Sequence, residues 1–181
     1  MKRLITILST AFVLNGMAQQ VSETKQGLRV DPAGDKPTTE VMVYAPNIIR
    51  VTKYADGLEA LPDKKSYSVI MTPEKGKGLW RVEGTTLSTA CLTVTVDAAT
   101  GEVRFTDANG NALLAEKGEA EVTSITAGVD KGKYSIRQDF QLGTNEAIYG
   151  LGQRRSPKLN QRGEKVEIWN HNANITIPYF T

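Results

Sequence analysis

From Glu40 to Ile177 the chain is a succession of short β-branched and aromatic runs, each closed by a cluster of turn-forming residues. Glu40–Tyr44 and Ile48–Tyr54 are joined by Ala45-Pro46-Asn47, where proline's fixed φ presets a turn. Ser66–Met71 and Leu79–Val82 follow, divided by Pro73, Gly76 and Gly78. Turn signals recur at roughly 8–12-residue intervals, the spacing of an antiparallel sandwich or barrel. No segment carries a convincing helical pattern, and no 20–50-residue repeat or low-complexity tract is visible. The fold class expected is all-β, an antiparallel β-sandwich.

Two hairpins stand out in the middle. Thr93–Asp97 alternates polar and apolar residues, turns through Ala98-Ala99-Thr100-Gly101 and returns as Val103–Thr106. Asp107-Ala108-Asn109-Gly110 then turns into Ala112–Ala115, with glycine suited to a positive φ. Further strands are expected at Glu121–Thr126, Tyr134–Phe140, Ala147–Tyr149, Val166–Trp169 and Ile175–Ile177. Residues 19–38, with Pro32 and Pro37, read as an irregular lead-in to a sandwich spanning 39–181.

Residues 1–18 have the form of a secretory signal. Lys2 and Arg3 precede the apolar run Leu4–Leu14, which is too short to span a bilayer, and Gly16-Met17-Ala18 places small residues around a cut after Ala18. Export is expected, to the periplasm or cell surface of a Gram-negative bacterium. Loss of Lys2 and Arg3 takes Lys+Arg from 22 to 20, equal to the 20 Asp and Glu, so the mature chain is formally neutral. A neutral chain has no field to attract nucleic acid or an anionic membrane, and no membrane span is expected in it. Arg154, Arg155, Lys158, Arg162 and Lys165 form the one basic cluster, read as a solvated loop face balanced by Glu164 and Glu167.

Little in the chain carries chemistry. Cys91 sits in an apolar run, Leu87–Val96, and is expected to be a buried structural thiol. With one cysteine and one histidine, a zinc constellation cannot be assembled, and no metal or cofactor is expected. His171 has no Gly-x-Ser-x-Gly elbow to serve. Gly150-Leu151-Gly152 lacks the third glycine, the following helix and the distal acid of a dinucleotide site. It reads better as a strand entering a tight loop, where glycine permits close backbone approach. Glycosidic chemistry would need two carboxyl groups flanking one bond, and nothing pairs Asp139, Glu146, Glu164 or Glu167 in that way.

The closing motifs are more specific. Ile148-Tyr149-Gly150-Leu151-Gly152-Gln153, the loop Asn160-Gln161-Arg162-Gly163, Trp169-Asn170 and Ile177-Pro178-Tyr179 occur in that order. This series resembles the end of the N-terminal, galactose-mutarotase-like β-sandwich of glycoside hydrolase family 31, the α-glucosidases and α-xylosidases. Asn47–Thr52 and Asp97–Leu114 echo weaker patterns of the same family. The resemblance implies a retaining α-glycosidase acting on α-linked oligosaccharides without cofactor or metal. Its catalytic aspartates would lie on a (β/α)8 barrel beyond Thr181, in contact with this sandwich, so no catalytic residue is assigned here.

The resemblance also implies that the loop after Trp169-Asn170 reaches the rim of the sugar pocket. Asn172 and His171 are the substrate-binding candidates, through amide hydrogen bonds and ring stacking. Asn172 stands where many members carry Asp, and the loop is short, as in xylosidase-like members. Turn residues at Asn170, Asn172 and Asn174 with a core Trp169 are the plain alternative. A stand-alone sandwich that binds carbohydrate without cleaving it is the alternative function, with Tyr44, Tyr54, Tyr67, Trp80 and Tyr134 as its scattered aromatics.

Overall fold

The computed structural model describes residues 20–34, 36–54, 69–73, 78–154, 156–170 and 175–181. The expected signal segment, residues 1–18, and part of the Ser66–Met71 run therefore lie outside the described residues. The chain divides into two compact units, 1–141 and 142–181. No helix occurs among the described residues.

The first unit holds two main sheets. β1 (Gln20–Thr24), β2 (Gly27–Asp31), β3 (Thr38–Ala45) and β4 (Ile48–Tyr54) form one in sequential antiparallel order. β5 (Trp80–Glu83), β6 (Thr86–Thr89), β7 (Leu92–Val96), β8 (Val103–Asp107) and β9 (Ala112–Ala115) form the second, an antiparallel meander. β10 (Glu121–Ser124) and β11 (Tyr134–Arg137) make a separate hairpin.

Period-two alternation decides what faces inward. Leu28 lies opposite Val41 and Val43 opposite Ile49 in the first sheet; Leu87 lies opposite Val94 and Val96 opposite Val103 in the second. Leu28, Val30, Val41, Val43, Leu87, Val94, Val96 and Val103 pack into one core. Full burial of each such side chain is worth about 1.5–3 kcal/mol. The intervening residues of the second sheet are polar and pair across strands: the hydroxyls of Thr86 and Thr95, and of Ser88 and Thr93, are each 3.2 Å apart. Two facing antiparallel sheets around one apolar layer are the expected sandwich.

The turns are built as their residue types suggest. Asp97 Oδ1 accepts the N–H groups of Ala99 and Thr100 at 2.8 and 2.9 Å, and these bonds hold its carboxyl below the ordinary range. Gly110 takes the positive φ, 85°, in the turn before β9.

Three expectations need correction. The lead-in of residues 19–38 is not irregular: β1 and β2 form a hairpin, and β2 supplies Leu28 and Val30 to the core. Pro32 and Pro37 lie outside both strands, so they break the chain only after β2 has ended. The run Leu87–Val96 is not one strand but parts of β6 and β7. Thr89 Oγ1 accepts the N–H groups of Cys91 and Leu92 at 3.2 and 2.9 Å, which folds the chain back at this point. Cys91 is consequently exposed, not a buried thiol.

The opposite face of the first sheet carries a polar cluster. Tyr54, only 5% exposed, donates its hydroxyl to Glu40, and the Arg29 guanidinium lies 5.9 Å from the ring centre. Burial, then the Glu40 carboxylate, push the phenol up to about 12. The folded state therefore holds this proton more tightly than the unfolded chain, whose tyrosines titrate near pH 10. That contribution is present below pH 10 and is lost as pH rises toward 12. Urea stability is expected to fall across this window, and Tyr54→Phe to flatten the fall; an equal slope in the variant would contradict it.

Candidate functional site

The second unit, 142–181, contains the closing motifs. The segment Tyr149–Gln153 runs antiparallel to Ile175–Thr181: Tyr149 and Thr181 exchange backbone hydrogen bonds at 2.9 and 3.1 Å, and Gln153 and Ile175 at 2.7 and 2.9 Å. Isolated bridges join Gly150 to Phe180 and Gln153 to Ile175. Among the described residues the expected strands Ala147–Tyr149, Val166–Trp169 and Ile175–Ile177 do not form, and bridge pairing in this unit is limited to these two.

Close approach explains the glycines. A Cβ at Gly152 would sit 2.1 Å from Ile175 O, and one at Gly150 2.6 Å from Tyr179 O. Leu151 between them has φ 63°, in a region that costs an L-residue about 1–2 kcal/mol. The backbone is held there by Leu151 N–H donating to Tyr179 O at 2.7 Å.

The Asn160-Gln161-Arg162-Gly163 loop acts as a clasp, a role that its residue types alone do not announce. Asn160 Oδ1 accepts the N–H groups of Ile148 and Arg162, both at 3.0 Å. The Arg162 guanidinium donates to the carbonyls of Gly143 and Glu146 at 2.7 and 2.6 Å. Gln161, nearly buried, donates to Lys158 O at 2.5 Å and accepts from Arg154 at 2.5 Å. The signal available in sequence was the clustering of side-chain amides with one arginine beside an irregular backbone, whose polar groups need partners.

The basic cluster is balanced by Glu164 and Glu167 only at its lysines. Lys158 pairs with Glu164 and Lys165 with Glu167 at 3.5 Å, while Arg162 and Arg154 serve the clasp; Arg155 lies outside the described residues. The carboxylates are likewise engaged locally. Asp139, in the first unit, pairs with Arg137 at 2.7 Å, and Glu146 accepts Gly143 N–H at 2.7 Å. Among the described residues no group of three His, Cys, Asp or Glu side chains converges as a metal site.

Asn172 and His171 lie outside the described residues, so the structure does not place them. Their flanks are placed. Asn170 Oδ1 accepts both the N–H and the hydroxyl of Thr176, at 2.8 and 2.9 Å. The turn-forming reading of Asn170 is thereby given a concrete bond. Trp169 is not core: it is 66% exposed, because residues 164–170 form no strand that could direct alternate side chains inward.

Two facing antiparallel sheets with a glycine-rich closing segment define a β-sandwich domain of the mutarotase-like kind. Residues 38–176 match the family model described as the glycosyl hydrolase 31 N-terminal galactose mutarotase-like domain, and the chain belongs to that family. An alpha-xylosidase of Saccharolobus solfataricus is 27% identical over 154 residues, covering 77% of this chain and 20% of the relative. The crystal structure of a GH31 alpha-xylosidase from Xanthomonas citri aligns with TM-score 0.71 and 29% identity over 88% of this chain and 17% of that one. A GH31 dextranase from Flavobacterium johnsoniae, complexed with glucose, shares the fold at TM-score 0.63 and 21% identity, over 92% of this chain and 21% of that chain. The chain thus spans about a fifth of the length of the curated relative it matches.

Proposed function

We propose that this chain is the N-terminal domain of an exported, retaining α-glycosidase of the α-glucosidase or α-xylosidase type. The family match over residues 38–176, with a curated relative of which the matched part is only about a fifth, is the observation that carries this reading. The catalytic barrel supplies the two carboxylates of the double-displacement scheme, and the substrate is an α-linked oligosaccharide. Lys2, Arg3 and the apolar run Leu4–Leu14 support export to the periplasm or cell surface.

The sandwich supports the barrel. Unit 142–181 exposes Leu159, Trp169, Ile175 and Tyr179, apolar surface of the sort that a neighbouring domain covers. Asn172 and His171 line the rim of the sugar pocket, on a segment whose two ends are tied by the Asn170–Thr176 bonds. Asn172 contributes a hydrogen bond to a hydroxyl and His171 a ring face.

The test is expression of the full-length gene and assay on aryl α-xylosides and aryl α-glucosides. Hydrolysis with retention of anomeric configuration is expected. Asn172→Ala should lower kcat/KM roughly three- to tenfold, equivalent to one hydrogen bond of about 0.5–1.5 kcal/mol, with the melting temperature unchanged. Inversion, or inactivity on both substrates, would overturn the enzymatic reading. Unchanged kinetics in the Asn172 variant would overturn only the rim assignment.

A further inference from the structure

Where β4, β8 and β9 meet the β10–β11 hairpin, the first unit opens into a cleft of about 470 Å³. Its walls are Ile49, Val51, Phe105, Leu114 and Ile136, and Tyr134 is 46% exposed among them. The volume lies within the range of small-molecule sites, about 300–1,000 Å³.

One end is polar and built. Lys53 Nζ lies 2.6 Å from Glu116 Oε2 and 3.0 Å from Gln138 Oε1, and the same Glu116 oxygen accepts Val103 N–H at 2.7 Å. The Gln138 amide is fixed in turn by the carbonyls of Gly118 and Asp139. The Lys53 and Glu116 side chains are only 13% and 9% exposed, yet Glu116 Oε1 has no partner among the described residues. An ammonium has three N–H donors, and two are used here. That second carboxylate oxygen and the remaining Lys53 N–H are the polar groups that this end of the cleft offers a ligand.

We propose that this cleft binds a neutral pyranose ring. The two charges cancel, so the site favours neither an anion nor a cation. It offers one donor and one acceptor side by side, which a vicinal diol satisfies: one hydroxyl accepts from Lys53 and its neighbour donates to Glu116 Oε1. The apolar walls meet the C–H face of the ring, and Tyr134 stacks against it. A ring of the same size with a single hydroxyl, such as cyclohexanol, fills the walls but leaves one of the two polar groups unmatched, and so is discriminated against. The proposal rests on this cleft alone and does not depend on the catalytic reading above.

The test is calorimetric titration of the full 181-residue chain with methyl α-D-xylopyranoside, methyl α-D-glucopyranoside and cyclohexanol. Saturable binding of a glycoside is expected at a Kd of about 1–10 mM, with none for cyclohexanol. Tyr134→Ala should weaken binding at least tenfold and Tyr134→Phe should restore it, with circular dichroism confirming that both fold. No glycoside binding up to roughly 100 mM, or equal binding of cyclohexanol, overturns the proposal. Glycoside binding that survives Tyr134→Ala also overturns it and directs attention to unit 142–181.

Discussion

Gly27→Ala is expected to destabilise the sandwich by about 3 kcal/mol, lowering the melting temperature of the first unit by roughly 10 °C. Gly27 opens β2, pairs with Met42 and has φ 154°. A Cβ there would lie 2.1 Å from Val41 O and 3.3 Å from Leu87 Cδ1. The first contact is with backbone of the adjoining strand, which cannot swing aside as a side chain can. Relief would require β2 to move from β3, and Leu28, the next residue, would be drawn out of the core. Gly110→Ala is the control: it also has positive φ, but a Cβ there meets nothing within 4 Å. It should cost only the left-handed penalty, about 1–2 kcal/mol. If the two substitutions cost the same, the β2–β3 contact is not the tight one.

The sandwich was legible because its strands alternate. β7 and β8, with Val94 opposite Phe105 and Val96 opposite Val103 while Thr93 and Thr95 lie opposite Thr106 and Arg104, give period two directly, and their turns carry Asp97 and Asn109-Gly110. β1 and β2 were missed because two prolines follow closely, and proline weighs heavily in any reading of local order. Their position after the strand, not within it, is a matter of register that composition does not show. Thr89 was missed for a related reason. Its hydroxyl turns the chain by collecting two backbone N–H groups, and a threonine inside an apolar run reads as strand.

The site was legible only as a family resemblance. Gly150 and Gly152 were correctly read as points of close approach, since backbone contact is the common reason for glycine at a strand end. The clasp of Asn160, Gln161 and Arg162 depends on carbonyls well separated in sequence, at Gly143, Glu146 and Ile148, and no local pattern announces such partners. Trp169 is exposed against expectation because hydrophobicity alone does not bury a side chain. A large aromatic is buried only if the backbone around it is regular enough to aim it inward, and residues 164–170 are not.

Lys53→Met should cost about 3–5 kcal/mol, read as the urea midpoint of the Trp80 fluorescence in a Trp169→Phe background. Trp80 packs against the core of the first unit, so it reports that unit alone once the exposed Trp169 is removed. The cost does not measure the attraction of the pair. Two charges brought out of water give back in mutual attraction little more than their desolvation, so the intact pair is worth little net. Removing the lysine leaves the Glu116 carboxylate, its side chain 9% exposed, with Val103 N–H as its one described hydrogen-bond donor. That uncompensated carboxylate is what destabilises. Glu116→Gln placed on top of Lys53→Met removes the charge while an amide oxygen still accepts from Val103. The double variant should therefore recover most of the loss, to within about 1–2 kcal/mol of the parent, a coupling far larger than the 0.3–0.5 kcal/mol of independent sites. Additive effects would mean that Lys53 acts through packing of its aliphatic stem, and that the Lys53–Glu116 pair does not join β4 to the segment after β9.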